Sequence, residues 1–134
     1  IHLLDVTTGE TKQLTDNGFR IRAFFWSPDG QRLAYLTWMQ LGNDTLSQWR
    51  VASADGEPDT GYAMFVPSPL MNFGISSFNQ FAQSHRWWSK DGRYLVFMAR
   101  EDEQDAIALI DTTQPNSAPT IPIASGSLAY WSFD

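Results

Sequence analysis

The sequence predicts an all-β protein built from a repeated, four-stranded antiparallel unit. Three observations carry that reading. The phrase RAFFWSPDGQRLAYLT, starting at Arg22, returns as SHRWWSKDGRYLVFMA from Ser84 and again, cut short, as SLAYWSFD from Ser127. The segments RLAYLT, YLVFMA and AIALID are short, rich in β-formers and bounded by turn residues. The spacing also recurs: Asp5 to Trp26 is 21 positions and Asp111 to Trp131 is 20. A fixed period with strand-only content marks a propeller or another all-β array.

The first element is the phrase IHLLDVTTG, which matches IALIDTTQP with Asp5 over Asp111. QWRVASADG, from Gln48, is the intermediate copy, with Gly56 over Gly9. The next element ends in Trp-Ser. Trp26, Trp88 and Trp131 occupy equivalent points, each followed by Ser, and the large rings of Trp26 and Trp88 are expected to bury between stacked units. A tight turn follows at Ser27, Pro28, Asp29 and Gly30, and at Ser89, Lys90, Asp91 and Gly92. Proline presets its own φ, aspartate caps the turn and glycine accepts positive φ. In the strand after the turn, Leu33 and Tyr35 point to one face and Ala34 and Leu36 to the other. Both faces are apolar, so this strand is predicted to lie in a sheet covered on both sides. Four antiparallel strands per ~40–45 residues is the arithmetic of one β-propeller blade.

At these residues the chain resembles the TolB-type β-propeller repeat, found also in the propellers of prolyl oligopeptidase relatives. The resemblance rests on Asp5 and Gly9, on Leu14-Thr15, and on Trp26-Ser27-Pro28-Asp29-Gly30 with its Leu33-Ala34-Tyr35 strand. The second copy has Lys90 in place of the proline, and the third loses the motif after Ser132. The expected layout is a single propeller segment over 1–134, excised from a longer protein. It holds an outer half-blade at 1–15, a blade at 20–63 with an insertion at 64–82, a second blade at 83–124, and the first strand of a further blade at 127–134. Rings of this kind close with several blades. The segment's open edges are therefore expected to meet neighbouring blades of the parent chain, or other copies of itself.

Composition narrows the function classes. With 15 acidic against 9 basic residues the net charge is −6, which argues against nucleic acid or an anionic membrane as partner. The absence of cysteine removes disulfides, thiolate chemistry and cysteine zinc sites together. No apolar run in the sequence approaches the ~18 residues of a membrane span. The sequence holds no HExxH, no phosphate-cradling glycine loop and no dinucleotide fingerprint. The nearest match to a nucleophile elbow, GISSF from Gly74, has Phe78 where the second glycine belongs. With His2 and His85 the only histidines, no catalytic residue and no metal or other cofactor is predicted. The Asp-box of sialidase propellers needs a glycine two places after its aspartate, whereas Gly30 and Gly92 follow immediately. The acidic run EDEQD, Glu101 to Asp105, reads as a solvated hairpin loop, and the sequon Asn43-Asp44-Thr45 as chance.

The insertion falls outside the repeat. Met71, Ile75, Phe78 and Ala82 have the spacing of one short helical face, which Gly74 interrupts. Three readings follow: these side chains cap the protein's own core, form a surface patch for a partner, or line a small-molecule pocket near the central channel. The candidate binding residues are Phe73, Phe78 and Phe81, with His85 on the following strand, where the other copies have Ala23 and Leu128. First strands line a propeller's channel, so His85 is placed near its wall, and the insertion is expected to be a lid or docking ridge at one mouth. The resemblance implies a non-catalytic scaffold for a protein or peptide partner, periplasmic or otherwise extracytoplasmic, in the bacterial envelope. The alternative it implies is the gating propeller of a prolyl-oligopeptidase-like serine peptidase whose catalytic domain lies outside this chain.

Overall fold

The computed structural model describes residues 1–16, 18–81, 85–114 and 120–132, with Phe81 by its backbone alone. The architecture is all-β, dominated by a curled seven-stranded antiparallel sheet. A separate hairpin pairs β1 (His2–Leu4) with β2 (Thr11–Gln13), turning at Gly9 with φ 75°. The large sheet contains β3 (Ile21–Trp26), β4 (Arg32–Leu41), β5 (Asp44–Ser53) and β6 (Thr60–Pro67), then β7 (Tyr94–Glu101), β8 (Gln104–Asp111) and β9 (Ile121–Ser125). Spatial order equals chain order throughout. Short connections favour this arrangement, since an antiparallel pair needs only a hairpin to join it.

The joint between the two halves of the sheet is narrow. β6 meets β7 through two residue pairs alone, Val66 with Arg100 and Pro67 with Ala99. Side chains supply the rest of the union. Leu33, Ala34, Tyr35 and Leu36 are all buried, as the two apolar faces of that strand require. The core between the halves gathers Phe25, Trp49, Trp87 and Trp88 with Phe65 and Phe97, the last two with ring centroids 4.4 Å apart.

Several boundaries differ from the expected layout. β6 continues to Pro67, so the first four residues of the expected insertion belong to a strand. Between β6 and the second Trp-Ser lie two helices, α1 (Pro69–Ser76) and α2 (Phe78–Phe81). Ser68 caps α1 by accepting the Met71 N–H (3.1 Å), and Pro69 enters at the first turn, where its missing N–H costs nothing. The stretch before the second turn is no full strand: it joins β7 by the bridge Trp88–Leu95, with Val96 N–H donating to Trp87 C=O. Residues 127–132, expected to start a further unit, form no strand; there Trp131 N–H bonds Arg86 C=O (3.0 Å). Leu128 is half exposed, and residues 133 and 134 lie outside the described residues.

The two Ser-x-Asp-Gly turns match bond for bond. Ser27 hydroxyl donates to Asp29 Oδ1 (2.5 Å) and accepts Arg32 N–H (2.9 Å); Ser89 hydroxyl donates to Asp91 Oδ1 (2.6 Å) and accepts Tyr94 N–H (2.8 Å). Gly30 and Gly92 close the turns with φ of 70° and 69°, which a side chain would resist. Ser27's hydroxyl, then Gln31's N–H, hold the Asp29 carboxyl below the usual carboxylate range, and Ser89 and Arg93 do the same for Asp91. Lys90 stands where the first turn has Pro28, exposed and at the same turn position. Lys90→Pro is therefore expected to be neutral or to stabilise by up to about 1 kcal/mol, through a stiffer unfolded chain. A drop in thermal midpoint on this substitution would show that the two turns are not interchangeable.

Candidate functional site

The three repeat tryptophans have different surroundings. Trp88 is 3% exposed, and its Nε1 donates to Phe25 C=O (3.0 Å) on the preceding half of the sheet. Arg32 lies over the same ring, 5.3 Å from its centroid, and bonds Gly92 C=O (2.6 Å) and Thr112 Oγ1 (3.0 Å). Trp26, expected to be equally buried, is 42% exposed. It lies on β3, an edge of the sheet. Trp131 is half-buried, and its indole nitrogen has no hydrogen-bond partner among the described residues.

The insertion divides between core and surface. Met71 and Ile75 are completely buried on one face of α1, and Gly74 lies between them against Tyr130 and His85. A side chain at position 74 would meet those rings at about 3.8 Å, ordinary contact, so this glycine is tolerated in a helix that the core holds in place. Phe78 packs edge-on against Phe24 and Phe25, with centroids 5.5 and 6.3 Å away. It is partly buried against the core. Phe73, by contrast, is 68% exposed on the outer face of α1. The Phe81 side chain lies outside the described residues, as do residues 82–84.

His85 stacks on Tyr130, with ring centroids 4.3 Å apart, and partial burial lowers its pKa from the ordinary histidine value. It lines a void with Phe25, Ile75, Phe78 and Trp87 that is too small to admit a water molecule. Among the described residues, His85 is packed against Tyr130 and borders this void. Arg22 ties β3 to the insertion by donating to Asn72 Oδ1 (2.7 Å), which fixes the orientation of α1.

The remaining motifs of the sequence take structural roles. Ser76, the middle serine of GISSF, sits in the last turn of α1 and donates to Asn72 C=O (2.8 Å), not at a strand-to-helix elbow. The run EDEQD turns the β7–β8 hairpin through Asp102 and Glu103, both at positive φ (46° and 65°). That pair of left-handed residues is the requirement of a type I′ turn. Asn43 lies at the tip of the β4–β5 hairpin, beside Gly42 at φ 62°. No group of three metal-ligating side chains occurs among the described residues.

One feature escapes the sequence reading. Across β4, β5 and β6 runs a groove of about 440 Å³, walled by Phe19, Trp38, Met39 and Met64, with Arg20 at its rim. Beside it, reached through Phe19, is a polar network: Arg50 pairs with Asp59 (2.6 Å), Tyr35 hydroxyl bonds Asp59, and Phe19 lies under the Arg50 guanidinium (4.3 Å). The signal available in the sequence was the difference between copies. Trp38 and Met39 align with Arg100 and Glu101 in the second, so the first copy carries apolar bulk that the repeat does not require.

Compared with known proteins, the chain matches no family model, and no curated protein is similar enough in sequence to be counted a relative.

Proposed function

We propose that this chain is part of a non-catalytic β-propeller of the TolB type, and that its work is to hold a protein or peptide partner. The observation that supports this reading is the recurrence of the Trp-Ser-x-Asp-Gly hairpin, bond for bond, in consecutive units of one sheet. A fold of repeated units presents surfaces, and its loops are free to carry recognition. Helix α1 is the element best suited to docking. Its inner face is locked into the core by Met71 and Ile75, so Phe73 stands on a rigid base and loses little entropy on contact. In the resembled family such propellers recognise other proteins or peptides in the bacterial envelope.

A photo-reactive phenylalanine placed at position 73 in cells of the native host tests this reading. A discrete adduct is expected there and not from the same group at Gln31, which is exposed on a repeat turn. Absence of any adduct at 73, or identical adducts from both positions, would remove α1 as the docking element.

A further inference from the structure

We propose that the groove across β4, β5 and β6 binds an extended peptide segment carrying a carboxylate beside an apolar side chain, a site distinct from Phe73. The proposal rests on the docking reading above and names a ligand class for it. Arg20 is the single charged residue among the described residues lining the groove. The chain as a whole carries a net charge of −6, so a lone cation in a groove of mixed polar and apolar lining is a local reversal of sign.

Among the described residues lining the groove, the uncommitted polar groups are the buried Ser47 hydroxyl and the Arg20 guanidinium, and only the second is charged. Gln48 is committed on both ends of its amide, donating to Tyr62 C=O (2.7 Å) and accepting from Arg50 (3.1 Å). Gln40 donates to Gly42 C=O (3.1 Å) and accepts from Thr45 hydroxyl (3.0 Å). Thr37 donates to Gln48 C=O (3.2 Å). Arg20 makes no such commitment: its guanidinium lies over the Trp38 ring, 5.2 Å from the centroid, and no carboxylate among the described residues is within ion-pairing distance. A guanidinium held against an indole face keeps its donor fork available, and that fork matches a carboxylate in bidentate geometry.

The shape of the groove favours a peptide. It crosses two strand-to-strand spacings, about 10 Å, which accommodates about three extended residues. Met39 and Met64, 45% and 48% exposed, wall it with flexible thioether chains that adapt to apolar side chains of differing shape. The neighbouring apolar residue of the ligand lies between these methionines while its carboxylate meets Arg20.

Panning a phage-displayed random heptapeptide library on the purified chain, then measuring the enriched peptides by fluorescence polarisation, tests the proposal. Enriched sequences are expected to place Asp or Glu next to Leu, Ile, Phe or Met. Arg20→Gln and Met64→Glu are each expected to weaken them at least tenfold while leaving the circular dichroism unchanged, and binding is expected to weaken with added salt. Enriched peptides without an acidic residue, or equal binding to Arg20→Gln, would overturn the groove as the site. Peptides insensitive to Arg20→Gln but lost on Phe73→Asp would overturn it too, while upholding docking at α1. No enrichment at all would also overturn the groove, and the adduct at position 73 then decides the docking reading by itself.

Discussion

Trp88→Ala is expected to cost about 3–5 kcal/mol, the range for deleting a fully buried large aromatic. The loss has three sources that act together. The ring fills the space between the two halves of the sheet, its Nε1 satisfies Phe25 C=O, and it supports the Arg32 side chain that reaches Gly92 and Thr112. Trp26→Ala serves as the internal control. The same motif position there is 42% exposed, so its truncation is expected to cost about 1 kcal/mol or less, in the ordinary range for surface sites. Urea midpoints of the two variants read the difference directly. Equal destabilisation would show that the halves are not joined through Trp88.

Met71→Ala is the second substitution of large effect, at about 2–5 kcal/mol, because it opens a cavity under a helix with no exposure on that face. Phe73→Asp, two positions along, is expected to change stability by no more than about 0.5 kcal/mol, since the side chain already stands in water. The pair separates two readings of the insertion, core cap and surface patch, residue by residue. Shortening residues 70–81 removes Met71 and Ile75 with the loop and is expected to abolish cooperative thermal unfolding. If Met71→Ala left the midpoint in place while Phe73→Asp lowered it, α1 would be packed the other way round.

The strand content and the turns were legible because their signals are local. Trp-Ser-x-Asp-Gly determines a hydrogen-bonded loop whatever surrounds it, and the apolar alternation of Leu33 to Leu36 already demands a covered sheet. The burial of Trp26 was not legible, since it depends on a neighbour that the motif does not contain. Nor was the division of the insertion: Phe73 and Phe78 are alike in composition, and only the placement of α1, set by Ser68 and by Arg22 on Asn72, and of α2 after it sends one outward and the other inward. The groove was hidden for a further reason. Phe19, Trp38 and Met64 come from three places in the chain, and nothing in a linear pattern says that twisted strands will bring them to one wall.

The two-residue ladder between β6 and β7 has a consequence for how curvature is encoded. Backbone hydrogen bonds fix the angle between strands wherever the ladder is long, and the twist they allow is narrow. Two pairs at one end of a joint act as a pivot. The angle between the halves is then set by the volumes of Trp88, Phe65 and Phe97 and by the reach of Arg32, all of them side chains. Such a joint can be opened or tightened by exchanging one ring for another, with every strand left in register. The curvature of the seven-stranded sheet is thus an adjustable quantity, written in a handful of interchangeable residues.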